Sequence, residues 1–430
     1  MAEIYGQSSL TITTPQSSGA SHDITTRQVD ACSLSVKSPD SSFDSKSMLM
    51  LRPRQDCRAM FTKDTSSWMR RGWTFQEWLL SPRVLHCGDM VVWNCFEATQ
   101  YEDRADDRPR IHRGYDRRSR GKVSLACMIG RLRRLKSASY DGPTIPHGIH
   151  LADWNEAWSE LVEELTSRHF TQPKDKLPAL SGLAVRYMKD EFAKEVGSEY
   201  LAGIWRYNSE TQEDPGPYRS EFPAGLLWRR RDGSPYMIEP PSYRAPSWTW
   251  ASLDGPVSFM RDMERGQFYH EELSLISHEA SCEYRPSGSM SSVTAGRIVA
   301  DAPIKRAWMA NRGEIKATDE VRLATVGFPE LEYQGTGWTA TFDQAPDQQA
   351  EIYLLRVISK SMPGYHEPEV MHWALILKPL RTYKEPATFV RLGVASYKAV
   401  LPFSDSREQR ESWTASHLHG DWERERVVII

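Results

Sequence analysis

The chain has 430 residues, 40% of them hydrophobic, with 15 tryptophans and a formal net charge of −3. That length allows two or three domains with real cores, while a mean hydropathy of −0.57 points to long polar segments. The near-neutral balance gives no global reason for nucleic acid or an anionic membrane as partner.

Residues 13 to 66 are rich in Ser, Thr and Asp with few apolar anchors, and read as a long loop or partly disordered insertion. The most informative stretch follows, from Arg70 to Glu102. On a helical wheel Trp73, Phe75, Trp78, Leu79 and Leu80 cover most of the circumference, and a helix apolar nearly all round is buried. Glu77 falls between Trp73 and Trp78. A buried carboxylate needs a partner or a proton, and Arg70, Arg71 and Arg83 are the near candidates. Ser81-Pro82 ends the helix, because proline disfavours a helical residue before it. Arg83 to Cys87 and Met90 to Cys95 read as a hairpin turning at Gly88-Asp89.

Arg104 to Lys136 is basic, with ten arginines and two lysines against Asp106, Asp107 and Asp116. It offers phosphate contacts, with Tyr115 as a stacking ring. One tyrosine among so many cations is little interleaving, so a solvated connector is the expectation. Leu151 to Phe170 is the clearest helix, with Leu151, Trp154, Trp158, Leu161, Val162 and Leu165 at three- and four-residue steps and Asp153 as N-cap. A second helix is expected over Leu177 to Ala193. Leu201 to Trp205 and Gly225 to Trp228 are short apolar segments that suit helix. Ser247-Trp248-Thr249-Trp250 alternates and reads as a strand with both tryptophans on one packing face.

From about Ser291 the period changes to that of strands. Val293 to Val299, Val321 to Val326, Trp338 to Phe342, Ile352 to Ile358, Trp373 to Leu377, Phe389 to Val394 and Val427 to Ile430 are seven such runs, as in an antiparallel sheet or barrel. The expected fold class is mixed α+β, with an α/β N-terminal piece, a helical middle and an antiparallel β-rich C-terminal region. The boundaries are 1–103, a basic linker at 104–146, a helical and Trp-rich region at 147–260 and a β-rich region at 261–430.

The string Arg71-Gly72-Trp73-Thr74-Phe75-Gln76-Glu77, then Leu79-Leu80-Ser81-Pro82-Arg83, closely resembles the last block of the fungal heterokaryon-incompatibility (HET) domain. Met1 to Tyr5 running into Leu10-Thr11-Ile12 resembles that family's middle helix and following strand. Leu177 to Leu183, with Asp175 before it, and Ala245 to Ser252, with Trp248 and Trp250, resemble two stretches found downstream of such domains. The family's opening Ser-Tyr-x-Trp-Gly block and its Asp-x-x-Cys-Ile-Asn-Gln block are not present. The chain therefore reads as beginning midway through a HET domain, through either a misplaced start codon or a truncated copy.

HET domains are thought to be distant relatives of TIR domains, which use one glutamate to cleave the nicotinamide–ribose bond of NAD. The resemblance thus implies a truncated TIR-like remnant, a role in self/non-self recognition and incompatibility cell death, and Glu77 as the candidate catalytic carboxylate. That chemistry needs a carboxylate beside an aromatic wall to stabilise an oxocarbenium-like charge. The competing reading makes Glu77 a structural acid paired with an arginine, and it is preferred, since structural networks also hold perturbed acids. Arg71, Gly72, Trp73, Gln76, Trp78, Arg83, Trp248 and Trp250 are expected to be motif residues that build the structure.

His86 and Cys87, close to Cys95 across the hairpin, suggest a thiol–imidazole pair. Adjacent strand residues point to opposite faces, so packing is expected instead. Gly114 and Gly121-Lys122 are wrongly spaced for a phosphate loop, and no G-x-G-x-x-G, H-E-x-x-H or G-x-S-x-G is present. Six scattered cysteines with no C-x-x-C pair suit reduced thiols. No run approaches the roughly 18 apolar residues of a membrane span. The expectation is a soluble, cytoplasmic protein, non-catalytic as it stands, with no cofactor or metal. The alternatives are a TIR-like NAD-cleaving effector if the domain is extended upstream, and a protein-binding remnant without cell-death activity. Its partners would be other proteins, with neither membrane nor nucleic acid among them.

Overall fold

The computed structural model describes residues 2–17, 32–37, 46–51, 66–88, 90–95, 98–102, 110–111, 151–188, 198–207, 222–260, 269–282, 293–309, 321–325, 337–347, 350–362, 369–380, 386–400 and 422–430. The chain divides into two compact units, Met1–Pro143 and Thr144–Ile430. Most of the basic stretch lies outside the described residues.

The first unit holds α1 (Ala2–Gln7), β1 (Thr11–Thr13), β2 (Cys32–Lys37), β3 (Lys46–Leu51), α2 (Ser67–Arg70), α3 (Gly72–Leu80), β4 (Arg83–Cys87), β5 (Val91–Cys95), β6 (Ala98–Tyr101) and β7 (Arg110–Ile111). Its main sheet runs β1-β4-β5-β6-β7. Strand β1 is parallel to β4, with Thr11 opposite Val84 and Thr13 opposite His86. A parallel pair needs a crossover, and the chain between these two strands supplies α2 and α3. The remaining neighbours are antiparallel. Within residues 13–66, read above as a loop, β2 and β3 pair as an antiparallel hairpin. The alternation Ser33-Leu34-Ser35-Val36 carries the strand period, which composition alone hides.

Most of the tryptophan-rich helix is buried, with Gly72, Thr74, Phe75, Gln76, Trp78, Leu79 and Leu80 inside, but not all round its circumference as the wheel implied. Trp73 and Glu77 are only partly buried, so the stripe between them is the rim of the helix. Ser81 leaves the helix with extended backbone, as the following proline demands. In the β4–β5 hairpin Arg83 faces Cys95 and Cys87 faces Val91. The two cysteines thus sit at opposite ends of the hairpin, which corrects the expected proximity. His86 is buried while Cys87 is partly exposed, as strand alternation dictates.

The second unit opens with α4 (Leu151–Thr166) and α5 (Pro178–Met188). Trp158, Leu161, Val162 and Leu165 form the buried stripe of α4, and Asp153 lies inside its first turn rather than capping it. Leu201 to Trp205, read as helix, instead belongs to a hairpin of β8 (Glu199–Leu201) and β9 (Ile204–Arg206). Its turn residues Ala202 and Gly203 have φ of 47° and 105°, which the two-residue hairpin turn requires. Then come α6 (Phe222–Leu226), β10 (Arg229–Arg230) and β11 (Val257–Ser258). The Trp248–Trp250 stretch is no strand: Thr249 caps a single 3-10 turn at Trp250–Ser252, its hydroxyl accepting from the Ala251 amide.

Nine strands follow: β12 (Tyr269–Glu271), β13 (Ser274–Cys282), β14 (Val293–Met309), β15 (Val321–Thr325), β16 (Gly337–Phe342), β17 (Ile352–Met362), β18 (Glu369–Leu380), β19 (Ala387–Val400) and β20 (Glu423–Ile429). Among the described residues, β14-β17-β18-β19-β16-β15 closes back on β14 through antiparallel pairs, which makes a six-stranded barrel. Strand β20 lies antiparallel to β14 and parallel to the start of β19. The interior is one apolar cluster drawn from alternate residues, including Ala307, Trp338, Phe342, Leu354, Ile376, Ala395 and Tyr397. A side chain at Gly393 would strike the Thr341 carbonyl, so glycine there lets β16 and β19 close. All seven expected strand runs are present, each within a strand or nearly so.

Candidate functional site

In the first unit the candidate carboxylate stands on the rim of α3. The Tyr5 hydroxyl of α1 donates to the Glu77 carboxylate, and Arg71 lies close enough to act on the same phenol. Burial first, then the Glu77 charge and hydrogen bond, raise the Tyr5 pKa above the usual phenol value. Tyr5, which sequence reasoning did not single out, is thus an aromatic partner of Glu77. Of the arginines expected nearby, Arg70 and Arg83 are exposed. The Arg83 guanidinium reaches the Ser9 carbonyl at 3.5 Å.

Hydroxyls tie this rim to the sheet. Ser81 Oγ bonds the Glu77 carbonyl at 2.6 Å and Thr11 Oγ1 at 2.7 Å, joining the end of α3 to β1. Thr13 Oγ1 lies 2.6 Å from His86 Nδ1 across the parallel pair. Thr74 Oγ1 donates to the Trp68 and Arg71 carbonyls and so holds α2 on α3. Behind the rim, Trp68 meets both Trp78 and His86 edge to face, at centroid distances of 6.5 and 5.9 Å. Trp78 therefore belongs to a packing cluster, and His86 is a core histidine. Gln76 is buried with Oε1 lacking a hydrogen-bond partner.

The two downstream motif stretches meet in the second unit. Trp248 and Trp250 are fully buried. Trp158 and Trp250 both donate their indole N–H to the Gly203 carbonyl at 3.0 Å. A Cβ on Gly203 would come within 2.7 Å of the Trp250 ring. Lys176 Nζ reaches the Leu253 carbonyl at 2.5 Å and the Trp250 carbonyl at 3.5 Å. Arg244 donates to the Ala251 and Pro173 carbonyls at 2.6 and 2.8 Å and pairs with Asp254 at 2.8 Å. Burial first, then Arg244, lowers the Lys176 pKa to about 7, and Asp254 opposes the shift. These cations satisfy loop carbonyls, as a structural clasp does.

A second clasp secures the barrel. The buried Arg391 stacks 3.5 Å from the Trp228 ring centre, pairs with Asp343 at 3.1 Å and donates to the Leu226 and Trp228 carbonyls. Burial raises the Asp343 pKa against the pull of Arg391. Such a pair specifies geometry more than it adds stability. Among the described residues no group of three or more His, Cys, Asp or Glu side chains gathers to hold a metal. No described helix is long and apolar enough to cross a membrane.

The first unit is thus a Trp-rich helix on the crossover between two parallel strands. Residues 1–77 match the family model described as Heterokaryon incompatibility protein (HET). The matched stretch lies within the N-terminal unit and ends at Glu77 in α3. Trp78, Arg83, Trp248 and Trp250, also expected as motif residues, lie beyond the matched residues. No curated protein and no solved structure matches the chain.

Proposed function

We propose that this is a fungal incompatibility-type protein that acts in self/non-self recognition through contacts with other proteins, and that it does not turn over NAD. The observation that carries the reading is the HET match over residues 1–77. The non-catalytic part rests on the Glu77 environment: the carboxylate is held by the Tyr5 hydroxyl on the rim of a packed helix. Its backbone carbonyl is bound to Ser81, which fits a residue that locks α1 and β1 onto α3.

A second reading, NAD cleavage in the manner of TIR domains, is favoured by the fact that Glu77 keeps part of its surface open. An oxocarbenium-like state needs such a carboxylate, together with an enclosed site that excludes water. Inducible expression in a filamentous fungal host, with growth arrest and cellular NAD as readouts, separates the two. The first reading expects arrest with NAD unchanged, equally strong with Glu77→Gln. NAD depletion abolished by Glu77→Gln would establish the second. No arrest at matched expression would remove the incompatibility role itself.

A further inference from the structure

The inner end of the barrel holds a cation whose hydrogen bonds are incomplete. Arg356 of β17 stands opposite Ala374 of the interior cluster, so its side chain shares that inward face. It is 2% exposed. Its Nη2 lies 3.4 Å from Glu272 Oε2, while Nε and Nη1 are buried with no hydrogen-bond partner. Leaving a buried charged donor unmet is costly, which is why such groups are almost always paired.

The surroundings define what could meet these donors. Glu272 is shared: its Oε1 accepts from Ser359 Oγ at 2.7 Å, and its Oε2 lies 3.9 Å from the half-exposed Arg424. Among the described residues, two guanidinium groups thus face one carboxylate. A bulge between Arg356 and Ile358 turns both Arg356 and Ser359 inward, Ser359 standing opposite His372. Planar groups continue the layer. Trp422 lies 5.1 Å from the Arg356 guanidinium and 5.8 Å from Trp338. Trp338 in turn packs on Tyr397 at 5.5 Å and on His372 at 6.4 Å.

We propose that this end of the barrel is a binding site for a small aromatic carboxylate, with Arg356 receiving the carboxylate and the Trp422–Trp338–Tyr397 rings receiving the ring. Trp422 precedes β20 and is only partly buried, so it can turn aside to admit the ligand. Arg424, half exposed beside Glu272, supplies the charge at the entrance. The residues named lie in the second unit, and the site does not rest on the function proposed above.

The probe is benzoate, titrated calorimetrically into the full 430-residue chain, with benzyl alcohol and inorganic phosphate as the other arms. Saturable benzoate binding is expected, with neither benzyl alcohol nor phosphate replacing it. Arg356→Met should weaken binding by about tenfold or more, as loss of a charge-assisted hydrogen bond does. Glu272→Gln should strengthen it several-fold, because the competing carboxylate is gone while the side-chain shape stays. That gain cannot come from misfolding, so it protects the test if Arg356→Met fails to fold. No saturable benzoate binding up to about 10 mM, a Kd worth under 3 kcal/mol, would overturn the proposal. So would unchanged or weaker binding by Glu272→Gln, or phosphate binding equal to benzoate.

Discussion

Single residues show where burial decides the chemistry in this chain. Lys176 sits among carbonyls and faces Arg244 and Asp254, and its pKa falls to about 7 from 10.5 mainly because burial disfavours the charge. The direction sets a pH dependence. Below about pH 7 folded and unfolded chains both hold the proton, and the folded state carries the full penalty of the buried charge. Between about 7 and the unfolded value near 10.4 the unfolded chain keeps a proton that the folded chain has released, so stability rises with pH, by at most about 1.4 kcal/mol per unit. Urea denaturation of the second unit from pH 7 to 10 should show this rise, and Lys176→Met should flatten it. A flat wild-type profile would mean that the amine stays charged in the fold. Neither Lys176 nor Arg244 was legible in the sequence as buried, because a lysine or arginine is ordinarily at the surface. Only the carbonyls of a distant loop make such burial tolerable. Tyr5 escaped notice for the same reason: its bond to Glu77 is a tertiary contact with no local pattern.

At the scale of elements, α3 separates two tryptophans that the sequence presents alike. Trp78 is 8% exposed and meets Trp68, whereas Trp73 stands on the rim beside Glu77. Trp78→Ala should cost about 3–5 kcal/mol, the usual loss for a core aromatic. Trp73→Ala should cost roughly 1–2 kcal/mol, since part of its ring is already in water. Hydrogen exchange of α3 and β4 peptides in the full chain measures both, and equal losses of protection would contradict the assignment. The elements also show which signals a sequence carries. Helix α4 and the seven C-terminal strands declare themselves by apolar period. Strand β13, with Ile276 and Ser277 both exposed, lacks an alternating pattern and was missed. The Ala202–Gly203 turn was hidden because an apolar run of five residues fits helix and hairpin equally well. At Trp248–Trp250 the packing was legible and the backbone was not. Alternating tryptophans imply a shared buried face, while Thr249 capping a 3-10 turn reaches the same burial by another route.

For the whole molecule, the division into Met1–Pro143 and Thr144–Ile430 makes a prediction about autonomy. The second unit has a self-contained core: a closed barrel whose strands satisfy each other's backbone groups and leave few open edges. Its helices and hairpins are fastened by clasps lying wholly within it, Arg391 on Asp343 and Trp228, and Lys176 with Arg244 on the Trp250–Asp254 loop. A domain with its own core and internal hydrogen bonds should fold alone. The fragment 144–430 is therefore expected to express as a folded protein, with a near-ultraviolet circular dichroism signal from its buried tryptophans. It should melt cooperatively within a few degrees of the matching transition in the full chain, a shift of about 1 kcal/mol at this size. Clasp integrity supplies the control. Arg391→Met leaves Asp343 buried without its cation, which should destabilise the fragment by about 3–5 kcal/mol, and by the same amount in the full chain. If the fragment is instead molten, with far-ultraviolet signal but no near-ultraviolet signal, the second unit depends on residues 1–143. The sequence boundary between the two units would then be a boundary of contacts and not of stability.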